Sequence, residues 1–466
     1  MTTIGEVPQK NTLPNDIIQE IIDILAATNP PSPTPTIPAT PRFEDENNID
    51  DVEWSLSPDE TDIPPGRQYV KPFSSLSSFC LRQARKHIFA HVVMTSQDVY
   101  AYVPRNPPPK RLPTLHSQVD FFRQHKETLP YIRNLSITVT QDEMDDVLLQ
   151  AQLHSMLTKL ENLTALTIQS HGIWTRLSPD SNSRSMRSAL RVLLQSQTLS
   201  KLCVNWLQDF DLGELSKSAN LCTLNLYNTR PDMETTGLND VELGKVRELS
   251  ITGYRPFMIR KFEALKAALV AMNDEGRLRV KFGKVKGLCF DVYESLYFAG
   301  ILEIVTAHAS DTLEDLELRM FLDSEDGNND HSAWLDRIIT HRSGSLRKLS
   351  LYTWVANEDQ DPFSGICSTL KRMDSHNVLE ALEVTVTVQT DSPCAPGDVW
   401  VAFGSVFEGS RKWPQLKKVM LKVLVADCGR EDNSLQCMLR GLRETGFKHM
   451  FSKPFDFEYV VQTMIV

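Results

Sequence analysis

A six-residue pattern, apolar-x-x-Leu-x-apolar, returns ten times along this chain, and it limits the possible folds more than any other feature. It begins with IRNLSI at Ile132 and continues as LTALTI (Leu163–Ile168), LSKLCV (Leu199–Val204), LCTLNL (Leu221–Leu226) and VRELSI (Val246–Ile251). Further copies are VKGLCF (Val285–Phe290), LEDLEL (Leu313–Leu318), LRKLSL (Leu346–Leu351), LEALEV (Leu379–Val384) and LKKVML (Leu416–Leu421). Their starts lie 31, 36, 22, 25, 39, 28, 33, 33 and 37 residues apart. Spacings of about 20–50 residues mark a repeat architecture, in which each unit covers the apolar face of the next. Stretches between the copies, such as DEMDDVLLQAQLHSMLTKL and IRKFEALKAALVAM, look helical. A short strand followed by a helix, repeated, predicts an α/β solenoid with parallel strands on the concave side and helices outside. The second and third apolar positions point inward, and the residue between them faces the open concave side. In LRKLSL this predicts Leu346, Leu349 and Leu351 buried, with Lys348 and Ser350 exposed. A doubly wound sheet is the competing fold, but no G-x-G-x-x-G turn is present.

Ahead of the repeats, the chain opens with LPNDIIQEIIDIL, from Leu13 to Leu25. Ile17, Ile18, Ile21, Ile22 and Leu25 share one helical face. Pro14 suits a first turn, and Asp16 and Glu20 suit the positive end of the helix dipole. A helix of about three turns is marginal alone and must pack on something. The next stretch holds ten prolines between Asn29 and Pro72, and nine acids with no Lys or Arg from Phe43 to Asp62. Such a composition buries too little area to offset its ordering entropy, so 28–71 reads as a disordered insertion. FSSLSSFCLRQARKHIF then restores helical spacing. The first helix is predicted to find its partner there, since loop closure grows only slowly more costly with length.

These two flanks resemble an F-box, in the form fungal proteins carry. LPNDIIQEIIDIL is similar to its opening, and Leu76-Ser77 with Ala84-Arg85-Lys86-His87-Ile88-Phe89 to its close. The family's tryptophan falls here on Cys80, and the insertion is a second departure. The repeats resemble leucine-rich repeats in an irregular form; Asn228 is one match to the asparagine that usually follows the strand. The resemblance implies a three-helix module at 11–94, interrupted at about 28–71, then a linker at 95–114 and a repeat domain at 115–466. It also implies docking on Skp1, and through it on a cullin, as the substrate-recognition subunit of an SCF-type ubiquitin ligase. By position, Leu13, Pro14, Ile17, Ile18, Ile21, Ile22 and Leu25, with Leu76, Ala84, Ile88 and Phe89, form the Skp1-facing and core set. The repeat domain would hold a target protein. A helical cap on the following domain, or a repeat scaffold without any ligase, is the alternative.

Composition excludes other classes. A net charge of -11 disfavours a general nucleic-acid binder. The start lacks a signal peptide's apolar core, and no run of about eighteen apolar residues would span a membrane. Eight cysteines without a Cys-x-x-Cys pair read as free thiols in a reducing compartment, cytoplasmic or nuclear. Cys203 and Cys222 read as core thiols. No phosphate-binding loop, G-x-S-x-G or H-E-x-x-H occurs, and LDSEDGNND (Leu322–Asp330) fails the calcium-loop register. His87 and His91 read as histidines on a basic helix. No enzyme activity, cofactor or metal is expected.

Overall fold

A computed structural model describes residues 18–23, 78–95, 114–170, 175–176, 184–210, 215, 218, 220–231, 241–242, 245–253, 280–281, 284–292, 312–321, 332–340, 344–355, 361–363, 365–388, 398–408, 412–427 and 434–465. The insertion at 28–71, all but the ends of the 95–114 linker, Leu322–Asp330 and the stretch IRKFEALKAALVAM lie outside the described residues.

All ten hexamers lie on strands of one twelve-stranded sheet whose order follows the chain. The strands are β1 (His91–Met94), β2 (Asn134–Val139), β3 (Ala165–Ser170), β4 (Lys201–Asn205), β5 (Thr223–Tyr227) and β6 (Glu248–Thr252). They continue as β7 (Gly287–Val292), β8 (Asp315–Phe321), β9 (Lys348–Val355), β10 (Ala381–Val388), β11 (Lys418–Asp427) and β12 (Asp456–Ile465). Every neighbouring pair is parallel. Strands β2 to β11 each begin at the third residue of a hexamer. The end strands carry the same pattern without its leucine: Val92 and Phe457 stand at the fourth position, in FAHVVM and PFDFEY.

One backbone interaction locks the register at each step from β1 to β11, whereas at β12 Lys417 O takes only Asp456 N among the described residues. The carbonyl of a hexamer's second residue accepts the N–H groups of the second and third residues of the next copy. Ala90 O takes Arg133 N and Asn134 N at 3.0 and 2.8 Å, and Arg347 O takes Glu380 N and Ala381 N at 2.7 and 3.0 Å. The side chains at that second position pair along the rim. Lys286 meets Glu314 at 2.6 Å, Arg347 meets Glu380 at 2.8 Å, and Lys417 also reaches Glu380. These exposed pairs reinforce register more than they add stability.

The first, fourth and sixth residues of all ten hexamers are at most 6% exposed. They join the inner faces of all the helices except the first in one continuous core. Those helices are α1 (Ser78–Ile88), α2 (Leu115–Gln124), α3 (Gln141–Asp145), α4 (Val147–Leu157), α5 (Arg184–Leu194), α6 (Ser332–Thr340), α7 (Ile366–Arg372), α8 (Asp398–Ser405) and α9 (Ser434–Thr445). The single helical stretch expected over DEMDDVLLQAQLHSMLTKL is two helices. Thr140 and Glu143 form a capping box on α3, and Asp146 interrupts the run to cap α4 by accepting from Leu148 N and Leu149 N.

In LRKLSL, Leu346, Leu349 and Leu351 are buried and Lys348 is exposed, but Ser350 is only 3% exposed. The expectation of an exposed Ser350 fails because the open face is not bare. Ser350 lies in register between Glu317 and Glu383 and is followed on the same face by Tyr352. A small hydroxyl among long side chains is covered by them.

Three consecutive strands end in the same unusual way. Trp206, Asn228 and Gly253 follow β4, β5 and β6 at equivalent positions, with φ of 60°, 48° and 85°. Trp206 N donates to Tyr227 O at 2.9 Å and Asn228 N to Thr252 O at 2.8 Å, so the left-handed turns form a column. The Asn228 amide is fully buried and has no hydrogen-bond partner among the described residues. Glycine is required at the third site, where an added Cβ would stand 2.7 Å from the Tyr227 ring. Gly253→Ala is expected to destabilise the fold by more than about 1 kcal/mol in urea unfolding. An unchanged midpoint would show that Tyr227 yields freely.

Candidate functional site

The structure places the expected partner-binding residues in two groups. Leu13, Pro14, Ile17, Leu25 and Leu76 lie outside the described residues. Residues 18–23 are helical and pack on α1: Ile22 and Ala84, both 0% exposed, form a small apolar core with Ile18 and Ile88 packed against it. Asp23 Oδ1 and His87 Nε2 lie 2.7 Å apart beside it. Ile21 points away and is 36% exposed. Phe89 does not join this cluster. It packs into the main core against Phe121 and Phe122, with ring centroids 6.4 and 6.3 Å away. His91 is not on a helix either; it opens β1, where its Nδ1 lies 2.8 Å from Asn134 Nδ2. The residues following α1 therefore belong to the sheet, and Thr95 is tied to α2 through both polar atoms of the Gln118 side chain.

A second surface was not legible as a site from the sequence. Side chains at the third, fifth and seventh hexamer positions, the last counted one beyond the hexamer, share the face opposite the core. In the middle of that face the pairing register aligns Asp291, Arg319, Tyr352 and Thr385, and beside them Cys289, Glu317, Ser350 and Glu383. The Arg319 Nε and Nη2 atoms both lie 2.9 Å from Glu317 Oε1, and the guanidinium sits 5.7 Å from the Tyr352 ring centroid. Trp354 follows Tyr352 on the same face, and both are half-buried. Burial, then Glu317 and Glu383, push the Tyr352 hydroxyl up to about 12, so it stays a hydrogen-bond donor at neutral pH. An arginine over one half-exposed aromatic, with a second two residues along the same strand face, is the composition of a protein-binding anchor. The signal was present in the sequence, in the residues lying between the apolar ones, but it is spread over copies 28 to 33 residues apart.

Asp291 sits at one edge of this cluster and is 4% exposed. Its Oδ2 accepts the Gly253 N–H at 2.6 Å, while Oδ1 has no partner among the described residues. The carboxylate thus takes the hydrogen bond that a strand carbonyl takes at Trp206 and Asn228, and it closes the left-handed column. Burial raises its pKa to about 6, against the opposing effects of the Gly253 N–H and Arg319.

The described thiols differ in burial, from Cys80, which is buried, to Cys437, which is exposed. Cys203 and Cys289 occupy fifth positions on the open face, and Cys222 precedes β5 half-buried, so Cys203 and Cys222 are not the core thiols expected. Cys203 falls on the other side because side chains alternate along a strand, whereas Cys222 stands on the rim, one residue ahead of β5. Burial pushes Cys289 and Cys367 up to about 12 and raises Cys203, which leaves little thiolate for nucleophilic chemistry. Among the described residues, no group of three or more His, Cys, Asp or Glu is placed to hold a metal, and no helix is long and apolar enough to cross a membrane. No protein-family model matches the chain, and no curated protein sequence matches it.

Proposed function

We propose that this chain is a non-catalytic recognition protein, the substrate-recognition subunit of an SCF-type ubiquitin ligase working in the cytoplasm or nucleus. The helical pair at its start would act as an F-box, docking a Skp1-like adaptor and through it a cullin. The twelve-stranded sheet would act as an irregular leucine-rich-repeat solenoid, holding the target protein on its open face around Arg319, Tyr352 and Trp354. Its contribution to ubiquitin transfer would be proximity, which raises rate without chemistry of its own. The observation that carries this reading is the packing of Ile18 and Ile22 on Ala84 and Ile88, across a long sequence interval, with Ile21 left outward.

A repeat scaffold without ligase association is the second reading. It is favoured by Phe89 and β1, which tie α1 to the sheet as a cap would be tied. Affinity capture of the full chain with a Skp1-like adaptor and a cullin separates the two. Complex formation at micromolar concentration is expected for the wild type. Ile21→Glu should abolish it, because an unpaired carboxylate would be buried at the interface. Ile21 is a cleaner site than Ile18, which belongs to the intramolecular cluster, so the variant should unfold at the wild-type urea midpoint. A folded wild type that captures no adaptor would leave the scaffold reading.

A further inference from the structure

The two edges of the twelve-stranded sheet are finished differently. At one edge stands β1, four residues long, and Thr95 after it is tied to α2 through Gln118. At the other stands β12, ten residues long and paired on one side alone, with β11. Asp456 N donates to Lys417 O at 2.8 Å, so every second residue from Asp456 aims its backbone groups at β11. Phe457, Tyr459, Val461 and Thr463 aim theirs outward, and among the described residues no strand pairs with them there. Edge strands are commonly guarded by charge, proline or a bulge. From Tyr459 to Ile465, β12 has no charged residue, no proline and no glycine, and its register with β11 runs without a bulge. Val460, Val461 and Met464 are half-buried and Thr463 is exposed. Phe451, 44% exposed, sets its ring 5.2 Å from that of Phe457 and adds apolar surface beside the start of the strand.

We infer that this edge pairs with the same edge of a second copy of the chain, antiparallel across a two-fold axis through Val461. The two sheets would then run on as one. Directly opposed side chains must share a face of the sheet, and an axis through a single residue meets that condition. Val461 then stands opposite Val461 of the second copy, and Tyr459 opposite Thr463, all with outward backbone groups. Each such pair exchanges two N–H···O=C bonds. On the open face, Val460 stands opposite Gln462 and Glu458 opposite Met464. No charge meets its like, because Asp456 and Glu458 lie at one end of the strand and the other end is uncharged. Glu458 is moreover held by Lys418 at 2.8 Å. An extended segment of another protein could form the same backbone bonds, but it would have to bring matching uncharged and β-branched side chains. The second copy brings them by identity.

Sedimentation velocity of the full chain at micromolar concentrations is expected to show a reversible dimer. Val461→Pro removes an outward N–H and no bond to β11, so it should weaken that dimer by roughly tenfold. A second arm does not depend on proline being accommodated. In a Cys437→Ser background, which removes the exposed thiol, Val461→Cys should cross-link to its own copy on oxidation with copper phenanthroline. Opposed Cα atoms of a hydrogen-bonded pair stand about 5.5 Å apart, within disulfide reach. Gln462→Cys, which stands opposite Val460, should not cross-link to itself. A chain that stays monomeric would overturn the proposal. So would a dimer that Val461→Pro leaves unchanged, or equal cross-linking of the two cysteine variants.

Discussion

Leu349→Ala is expected to lower the unfolding free energy by about 2–5 kcal/mol, while Lys348→Ala next to it changes stability by less than about 0.5 kcal/mol. Leu349 is 0% exposed, and its register neighbours Leu316 and Leu382 are each 1% exposed. The alanine leaves a cavity walled by two other strands and held open by the backbone bonds at Glu314 O and Arg347 O. A site fixed on both sides collapses poorly, which places the loss toward the upper half of that range. Lys348 shares the strand but faces the open side, is exposed, and makes no ion pair with the described residues. Urea unfolding of the two variants beside the wild type reads the contrast. Equal losses would mean that side-chain alternation along β9 is not what separates core from surface.

Asp291→Asn is expected to stabilise the fold at neutral pH and to lose that advantage in acid. The folded carboxyl has its pKa raised from 3.8 to about 6. Below the lower value the group is protonated in both states and costs nothing. Between the two values the unfolded chain ionises first while the folded chain keeps its proton, so stability falls as pH rises, by about 1.4 kcal/mol per unit. Above about 6 the penalty is complete, on the order of 3 kcal/mol. Asparagine removes the charge and can still accept the Gly253 N–H. The stability difference between variant and wild type, measured from pH 4 to pH 8, should therefore grow until about pH 6 and then level. A difference that does not change with pH would show that burial of the charge is not what Asp291 contributes. The Asp291 charge also offsets part of the desolvation of Arg319, while Glu317 beside it adds to the cost.

The hexamers determined more of this protein than any other sequence feature. Their apolar positions fixed which residues are buried, and their order matched the order of strands in the sheet. Burial follows from a residue's own chemistry and its alternation along a strand, and both can be read locally. The end strands escaped because Val92 and Phe457 stand where nine of the ten copies carry leucine. Phe89 was read with the helical module, and only packing gave it to Phe121 and Phe122. The left-handed column and the cluster of Asp291, Arg319, Tyr352 and Trp354 were decided by tertiary structure alone. Arg319 and Tyr352 lie 33 positions apart, and their meeting depends on the register of two strands joined by a long connection. Register is set by backbone hydrogen bonds and by the packing of whole copies on one another, so no single stretch of sequence carries it.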